Sequence, residues 1–187
     1  MSKSLMVGLG ILLVLVIGVL SLVGMYNGLV KNDENINSKW AQIDNQLQRR
    51  SDLIPNLVGT VKGFAAHEQG VIKAISDARA KMGQAQSPVQ KAEANGELNG
   101  ALSRLMMIQE NYPNLKADAH FQSLMNELAG TENRIAVARK DYNDSVQVFN
   151  AKIKTFPTTI MANMAGYSSR EYFKVDESAK KVPVTSF

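Results

Sequence analysis

The side chains in this sequence that could bind a metal or transfer a proton are two histidines and a few glutamates. His67 and His120 are the only histidines among 187 residues, and there is no cysteine. His67 and Glu68 begin like the H-E-x-x-H motif of zinc proteases, but the position of the second histidine is Val71. The pattern therefore excludes a zinc site of that kind.

A carboxylate site is the other possibility. Glu68, Glu127 and Glu132 lie on segments that we predict to be helices, and glutamates on facing helices bind metals in some bundles. Those sites also use a Glu-x-x-His pair, which this sequence lacks. The phosphate-binding P-loop, the G-x-G-x-x-G motif and the G-x-S-x-G motif are absent as well. We predict no catalytic residue, no metal or cofactor site and no enzymatic activity.

The N-terminal part of the chain has the composition of a membrane-spanning helix. Residues 5–26 contain no charge and no proline, and they include Leu5, Ile11, Leu15, Leu20 and Tyr26. As a helix they would extend about 33 Å at about 1.5 Å per residue, enough to cross a hydrocarbon core of about 30 Å. The run exceeds the usual apolar part of a signal peptide, and no A-x-A-like cleavage pattern follows it. We predict a retained anchor over residues 1–26, with a cleaved signal peptide as the alternative.

Residues 27–187 are long enough for one domain with its own core. The formal net charge of the chain is +4, and it falls to +3 without Lys3, because no acidic residue precedes Asp33. A charge this small does not indicate nucleic-acid binding, for which clustered Lys and Arg are expected. The lysines flanking the apolar run are nearly balanced, so the side of the membrane on which the domain lies stays open.

Apolar residues beyond position 35 recur every three or four positions, which predicts long helices in an antiparallel, coiled-coil-like bundle. The first stripe contains Ile36, Trp40, Ile43, Leu47, Ile54, Leu57, Val61, Phe64, Val71, Ile75, Ala78 and Met82. Arg50 and Glu68 fall in the same register, where a buried polar group often fixes helix alignment. The alternative is that both reach solvent at the edge of the stripe. Pro55 predicts a kink or break between residues 51 and 55.

Two further helices and a short extended C-terminal tail complete the predicted all-α fold. Ser87 and Pro88 mark the start of a second helix that ends near Asn111, and its buried side is predicted to carry Leu98, Leu102, Leu105 and Tyr112. A third helix begins near Ala117, and its buried side is predicted to carry Phe121, Leu124, Leu128, Thr131, Ile135, Ala138, Tyr142, Val146, Phe149 and Ile153. We expect residues 160–167 to pack on the bundle as a short helix, with contact to lipid as the alternative. The tail beyond them holds Tyr172, Phe173, Val182, Pro183 and Val184.

The predicted helix lengths do not fit a simple up-down-up bundle, because the first segment is much longer than the second. One solution is that the chain folds back at Pro55. The other is that a break at Tyr112 and Pro113 lets the third helix continue toward the membrane. The sequence leaves both open.

Polar and aromatic residues beside the apolar stripes are our candidates for contacts that fix helix register or join subunits. They are Trp40, Arg49, Arg50, Glu68, Glu127, Glu132, Asn133 and Arg134. Hydrogen-bonded pairs between helices of one chain are the interpretation we favour. Contacts between neighbouring copies are the alternative, since Arg and Trp are enriched at such interfaces.

Several motifs in order along the chain resemble the LemA family of bacterial membrane proteins. They are Y-N-G-L-V (26–30), W-A-Q-I-D (40–44), Q-L-Q-R-R (46–50), D-L-I-P-N-L-V (52–58), V-K-G-F-A-A-H-E (61–68), Y-P-N-L-K-A (112–117), G-T-E-N-R-I-A (130–136) and F-P (156–157). The resemblance implies an N-terminal transmembrane helix followed by an antiparallel helical bundle in a bacterial membrane. It implies no established enzymatic activity and no agreed binding residues.

Two functional hypotheses follow. In the first, this is a non-enzymatic structural protein in which anchors lie side by side and bundles form a homo-oligomer that organises or shapes the bacterial cell membrane; Gly24 and Gly28 would allow close approach of helices. In the second, it is a single-pass monomeric adaptor whose bundle binds a membrane protein partner, such as a protease or signalling protein, through residues 160–167.

Overall fold

The computed structural model describes residues 3–174, with side chains from Met6 onward, so the predictions for the side chain of Leu5 and for Val182, Pro183 and Val184 lie outside the described residues. Six helices occur in this part of the chain: α1 (Lys3–Phe64), α2 (Gln69–Gln84), α3 (Pro88–Ile108), α4 (Pro113–Ala117), α5 (Ala119–Lys154) and α6 (Thr158–Met164). A single 3-10 turn (Gln109–Asn111) follows α3, and residues 3–174 contain no strand. The predicted all-α bundle fold is confirmed.

The chain divides into two compact units, which we describe separately. The first unit contains residues 1–38 and 144–170, and the second contains residues 39–143 and 171–187.

In the first unit, the N-terminal part of α1 exposes its apolar side chains. Ile11, Leu15, Leu20 and Tyr26 are all exposed, and a window of this helix has a mean hydropathy of 2.9 with none of its residues buried. Within the described residues this is the one helix long and apolar enough to cross a membrane. No break or linker interrupts α1 between Tyr26 and the buried Leu29.

The burial of α1 begins where α5 packs against it in the first unit. Lys152 Nζ donates to the Gly28 carbonyl oxygen at 3.4 Å, and Asn35 Nδ2 donates to Ser145 Oγ at 3.0 Å. The residue numbers fall in α5 as they rise in α1, so the two helices are antiparallel. The core between them contains Leu29, Ile36, Val146, Phe149 and Ile153.

The second unit is a bundle formed by the C-terminal part of α1, α2, α3 and the N-terminal part of α5. Lys39 of α1 pairs with Asp141 of α5 at 3.3 Å, and Gln46 Oε1 accepts from Arg134 Nε at 3.1 Å, so α5 is antiparallel to α1. α3 runs parallel to α1, since Asp44 binds Lys91 while Arg50, further along α1, binds Asn95 further along α3.

The sequence predicted a kink or a break between residues 51 and 55, and no break occurs there. α1 is helical through Pro55 to Phe64, and the chain reverses at residues 65–68 before α2 begins. The fold-back, one of the two solutions that the helix lengths allowed, therefore occurs ten residues beyond the proline. Phe64, predicted to be buried, is 43% exposed because Ala65 takes the core position at this corner.

The third predicted helix agrees most closely with the structure. All ten residues assigned to its buried stripe are buried in α5, from Phe121 to Ile153. The helix begins at Ala119, two residues later than predicted, because Asp118 Oδ1 accepts the Phe121 backbone N–H at 2.7 Å and caps it. At the second predicted helix, Ser87 and Gln90 form a reciprocal capping box, and Tyr112, predicted to be buried, is only half-buried beyond the helix end.

Candidate functional site

The most concentrated polar cluster in the second unit surrounds Arg50 of α1. The Arg50 side chain is 3% exposed, and its Nη1 atom contacts Glu132 Oε2 of α5 and donates to Asn95 Oδ1 of α3 at 2.7 Å. Nη2 donates to Asn99 Oδ1, one turn further along α3. The two asparagines also donate to the Glu132 carboxylate, at 3.4 Å and 3.3 Å. The cluster thus joins three helices through one guanidinium and one carboxylate.

The electrostatics of this cluster are those of a partly solvated ion pair. Burial lowers the pKa of the Arg50 guanidinium, while the charge and hydrogen bond of Glu132 oppose that shift. Glu132 keeps 32% of its side chain exposed, so water can solvate it from the open cavity of about 300 Å³ that Arg50, Asn99, Met106, Met125 and Glu132 help to line. Among the described residues, Arg50 Nε is the buried side-chain polar atom without a hydrogen-bond partner.

A second set of charges lies on the outside of the α1–α5 pair. Arg49 Nη2 and Arg134 Nη2 both bind Glu127 Oε1, at 2.7 Å and 3.1 Å, and Arg134 Nε also donates to Gln46. Each of these side chains is more than a third exposed where it pairs. Exposed pairs of this kind contribute little to stability.

An open groove of about 480 Å³ lies between α1 and α5 in the second unit. We call it the α1–α5 groove; it is lined by Gln42, Asn45, Gln46, Asn133, Arg134, Val137, Ala138 and Asp141. Asn133, one of the predicted contact residues, is exposed there, and Val137 is 64% exposed.

Trp40 lies in an aromatic cluster that includes Phe173, beyond α6. Its ring packs against Tyr142 with a centroid distance of 5.5 Å and against Phe173 at 6.1 Å, and Lys91 Nζ lies 5.9 Å from its centroid. The Asn143 side chain forms two hydrogen bonds with the Phe173 backbone. It accepts the Phe173 N–H at 2.9 Å and donates to the Phe173 carbonyl oxygen at 3.0 Å. Phe173 is consequently buried.

Glu68, the other polar residue predicted on the apolar stripe, lies at the corner between α1 and α2. It is half-buried, and its Oε1 atom accepts the Tyr112 hydroxyl at 2.9 Å. This hydrogen bond, with burial and the Glu68 charge as smaller contributions, raises the pKa of Tyr112. The structure therefore places Glu68 far along the bundle from Glu127 and Glu132 and gives it a tyrosine partner instead.

In the described part of the chain, neither histidine belongs to a potential metal-binding group. His67 and His120 are exposed, and residues 3–174 contain no group of three or more His, Cys, Asp or Glu side chains that could hold a metal ion. What the Arg50 cluster can do chemically is fix the alignment of α1, α3 and α5.

Sequence reasoning missed the two asparagines that complete this cluster. Asn95 and Asn99 are four residues apart and therefore share a face of α3, beside the buried Leu98 and Leu102. That spacing could have predicted the cluster, because two polar side chains beside an apolar stripe need hydrogen-bond partners, which a facing helix can supply.

The exposed apolar helix and the helical bundle define the class of this protein, which is a membrane-associated helical-bundle protein. The family model described as "LemA family" matches residues 39–187, so the chain belongs to the LemA family and the resemblance seen in its motifs is confirmed.

Named relatives agree with this assignment. Magnetosome protein MamQ 2 of Paramagnetospirillum magneticum is 29% identical over 203 residues, which cover 91% of this chain and 74% of that protein. Magnetosome protein MamQ of Magnetospirillum gryphiswaldense is 30% identical over 194 residues, 86% of this chain and 71% of that protein. Protein LemA of Metamycoplasma hominis is 26% identical over 164 residues, 82% of this chain and 74% of that protein.

Proposed function

We propose that this chain is a non-enzymatic, single-pass protein of the bacterial cell membrane that assembles with copies of itself and thereby organises or shapes the bilayer. The observation that carries the proposal is α1. Its apolar residues are exposed along a length that can span a membrane, and the same helix continues without a linker to Leu29 and Ile36, which are buried. Chains anchored without a linker lose little orientational freedom when they meet in the membrane plane, which lowers the entropic cost of association.

The α1–α5 groove supports self-association through the second unit. Interface centres are depleted of charge and contain apolar side chains, while their rims are polar. Val137 supplies an exposed apolar side chain in the groove, and the amides of Gln42, Asn45 and Asn133 surround it with hydrogen-bonding groups. We propose that a second copy of the chain covers Val137 in the assembly.

Crosslinking in native-like membranes tests this surface with a matched pair of substitutions. Val137→Glu places a charge in the proposed contact, and Val89→Glu makes the same change at an exposed valine of α3. We expect Val137→Glu to weaken association at least about tenfold, since a buried unpaired charge costs more than the roughly 1.4 kcal/mol that tenfold represents. We expect Val89→Glu to crosslink like the wild type.

The outcomes separate the two functional hypotheses. Equal crosslinking of both variants would remove the α1–α5 groove from the proposal. A wild-type chain that stays monomeric at every density would favour the adaptor hypothesis, in which the bundle binds a different membrane protein.

A further inference from the structure

The end of the first unit that carries α6 has an exposed apolar surface. Phe156 is 76% exposed, Ile160 is 52% exposed and Met164 is 79% exposed. Phe156 precedes α6, and Ile160 and Met164 are one turn apart on it, so the three can share a side of this segment. We call them the α6 patch.

The antiparallel packing of α5 on α1 brings Phe156, where the patch begins, to the level at which the apolar part of α1 ends. Lys152 lies beside Gly28, and Ser145, seven residues earlier, lies beside Asn35, seven residues later. Toward its C-terminus, α5 therefore runs toward the apolar segment of α1. The helix ends two residues beyond Lys152. Phe156 follows at about the level where Tyr26 ends the apolar segment.

The opposite side of the segment around α6 packs against α5 and α1 within the first unit. Ala162 is buried, and the Tyr167 ring packs edge-on against Phe149 with a centroid distance of 5.8 Å. Arg170 pairs with Asp33 at 2.7 Å, and its backbone N–H and carbonyl oxygen bond the Asn150 amide at 2.8 Å and 2.9 Å. Burial raises the pKa of Tyr167, and the nearby Asp33 and Tyr26 add to that shift.

We propose that the α6 patch inserts into the bilayer interface beside the anchor, as a second membrane contact of the same chain. The proposal rests on the anchoring part of the proposed function. The occupant follows from position: the surface covering the neighbouring apolar residues of α1 would be lipid, and the patch begins with Phe156 at the level where those residues end. Aromatic and apolar side chains at this depth stabilise membrane association, and the basic Lys154 at the end of α5 can reach lipid headgroups.

Site-specific labelling tests this proposal well, since the natural chain has no cysteine. The variants Met164→Cys, Leu15→Cys and Val148→Cys each carry one environment-sensitive fluorophore, and the full chain is reconstituted in vesicles with and without doxyl-labelled lipid. Val148 is the matched control, because it is 60% exposed on α5 but lies six residues before the end of that helix at Lys154, about 9 Å along the helix axis.

We expect doxyl lipid to quench the label at position 164 about twofold more than the label at 148, as interfacial side chains lie roughly 5–10 Å deep. Quenching at 15 but not at 164 would overturn the α6 patch alone. The absence of quenching at 15 would overturn the anchor and the α6 patch with it. Neither result depends on the number of copies in an assembly, so failure of self-association remains distinguishable. Unchanged helicity by circular dichroism shows that each variant folds.

Discussion

Arg79 Nε donates to the carbonyl oxygen of Ser51 at 3.1 Å, and this carbonyl is the one that Pro55 leaves without its helical donor. In an uninterrupted α-helix the N–H of residue 55 would bond the carbonyl of residue 51, but proline has no N–H. The α2 side chain replaces the missing donor from outside α1. The bond satisfies the carbonyl that the proline leaves without a donor, and α1 continues through Pro55 without a break.

The Arg79–Ser51 bond should depend on the proline. We predict that Arg79→Met lowers the free energy of unfolding by about 0.5–1 kcal/mol, the usual net contribution of a hydrogen bond. In a Pro55→Ala background the effect should be smaller, because the backbone N–H of the introduced alanine restores the helical donor. A double-mutant cycle measured by urea denaturation checks this, with Arg104→Met on α3 as the control. Equal effects of Arg79→Met in both backgrounds would contradict the explanation.

Removing Glu132 and removing Arg50 should lower the free energy of unfolding by different amounts. Glu132→Ala leaves a buried guanidinium without its carboxylate, and we predict a loss of about 3 kcal/mol. Arg50→Met should cost less, because the remaining carboxylate of Glu132 is 32% exposed and can be hydrated. Denaturant unfolding of the two variants measures the difference. A larger cost for Arg50→Met would show that packing around Arg50, rather than its charge, dominates.

The Glu68–Tyr112 hydrogen bond makes a contribution to the stability of the folded state that decreases at high pH. The pKa of Tyr112 is raised in the folded state above the ordinary value of 10.0, because the neutral hydroxyl donates to Glu68. The contribution is therefore complete below about pH 10 and is lost as the pH rises through the folded-state pKa.

We predict that Tyr112→Phe destabilises the protein at neutral pH and that the difference from the wild type shrinks as the pH rises above the ordinary tyrosine pKa of 10.0. Unfolding measured across this range tests it, with the exposed Tyr172→Phe as a control for general effects of tyrosine ionisation. A difference that persists unchanged at high pH would remove the hydrogen bond from the explanation.

The fluorescence of Trp40 should report on the packing of Phe173. Trp40 is the one tryptophan of the sequence, and Phe173 packs against its ring. We predict that Phe173→Ala shifts the tryptophan emission to longer wavelength and destabilises the protein by about 3 kcal/mol, as truncation of a buried phenylalanine does. Tyr172→Ala, at the exposed neighbouring position, should leave the emission unchanged. Identical spectra for the two variants would contradict the packing described here.

The spacing of apolar residues was sufficient to predict the buried side of a helix wherever that helix carries an unbroken apolar stripe. The stripe of α5 runs from Phe121 to Ile153 without a proline, so period alone identified its buried side. Ser87 and Pro88 likewise predicted the start of α3 through capping chemistry that involves neighbouring residues only.

Features that depend on distant partners could not be predicted in this way. The donor that replaces the missing N–H of Pro55 comes from Arg79, 28 positions from Ser51, and Arg50 binds two asparagines that lie 45 and 49 positions further along the chain. The reversal at residues 65–68 has no proline within it, and the stripe continues on both sides, so its period gave no sign of a corner.

The most direct test of the central claim, self-assembly of a membrane-anchored bundle, is to count copies of the full-length chain by mass photometry in lipid nanodiscs of several sizes. We predict discs that contain several copies of the 20.5 kDa chain, with the number of copies rising as the disc area allows. One chain per disc at every protein-to-disc ratio would contradict the account.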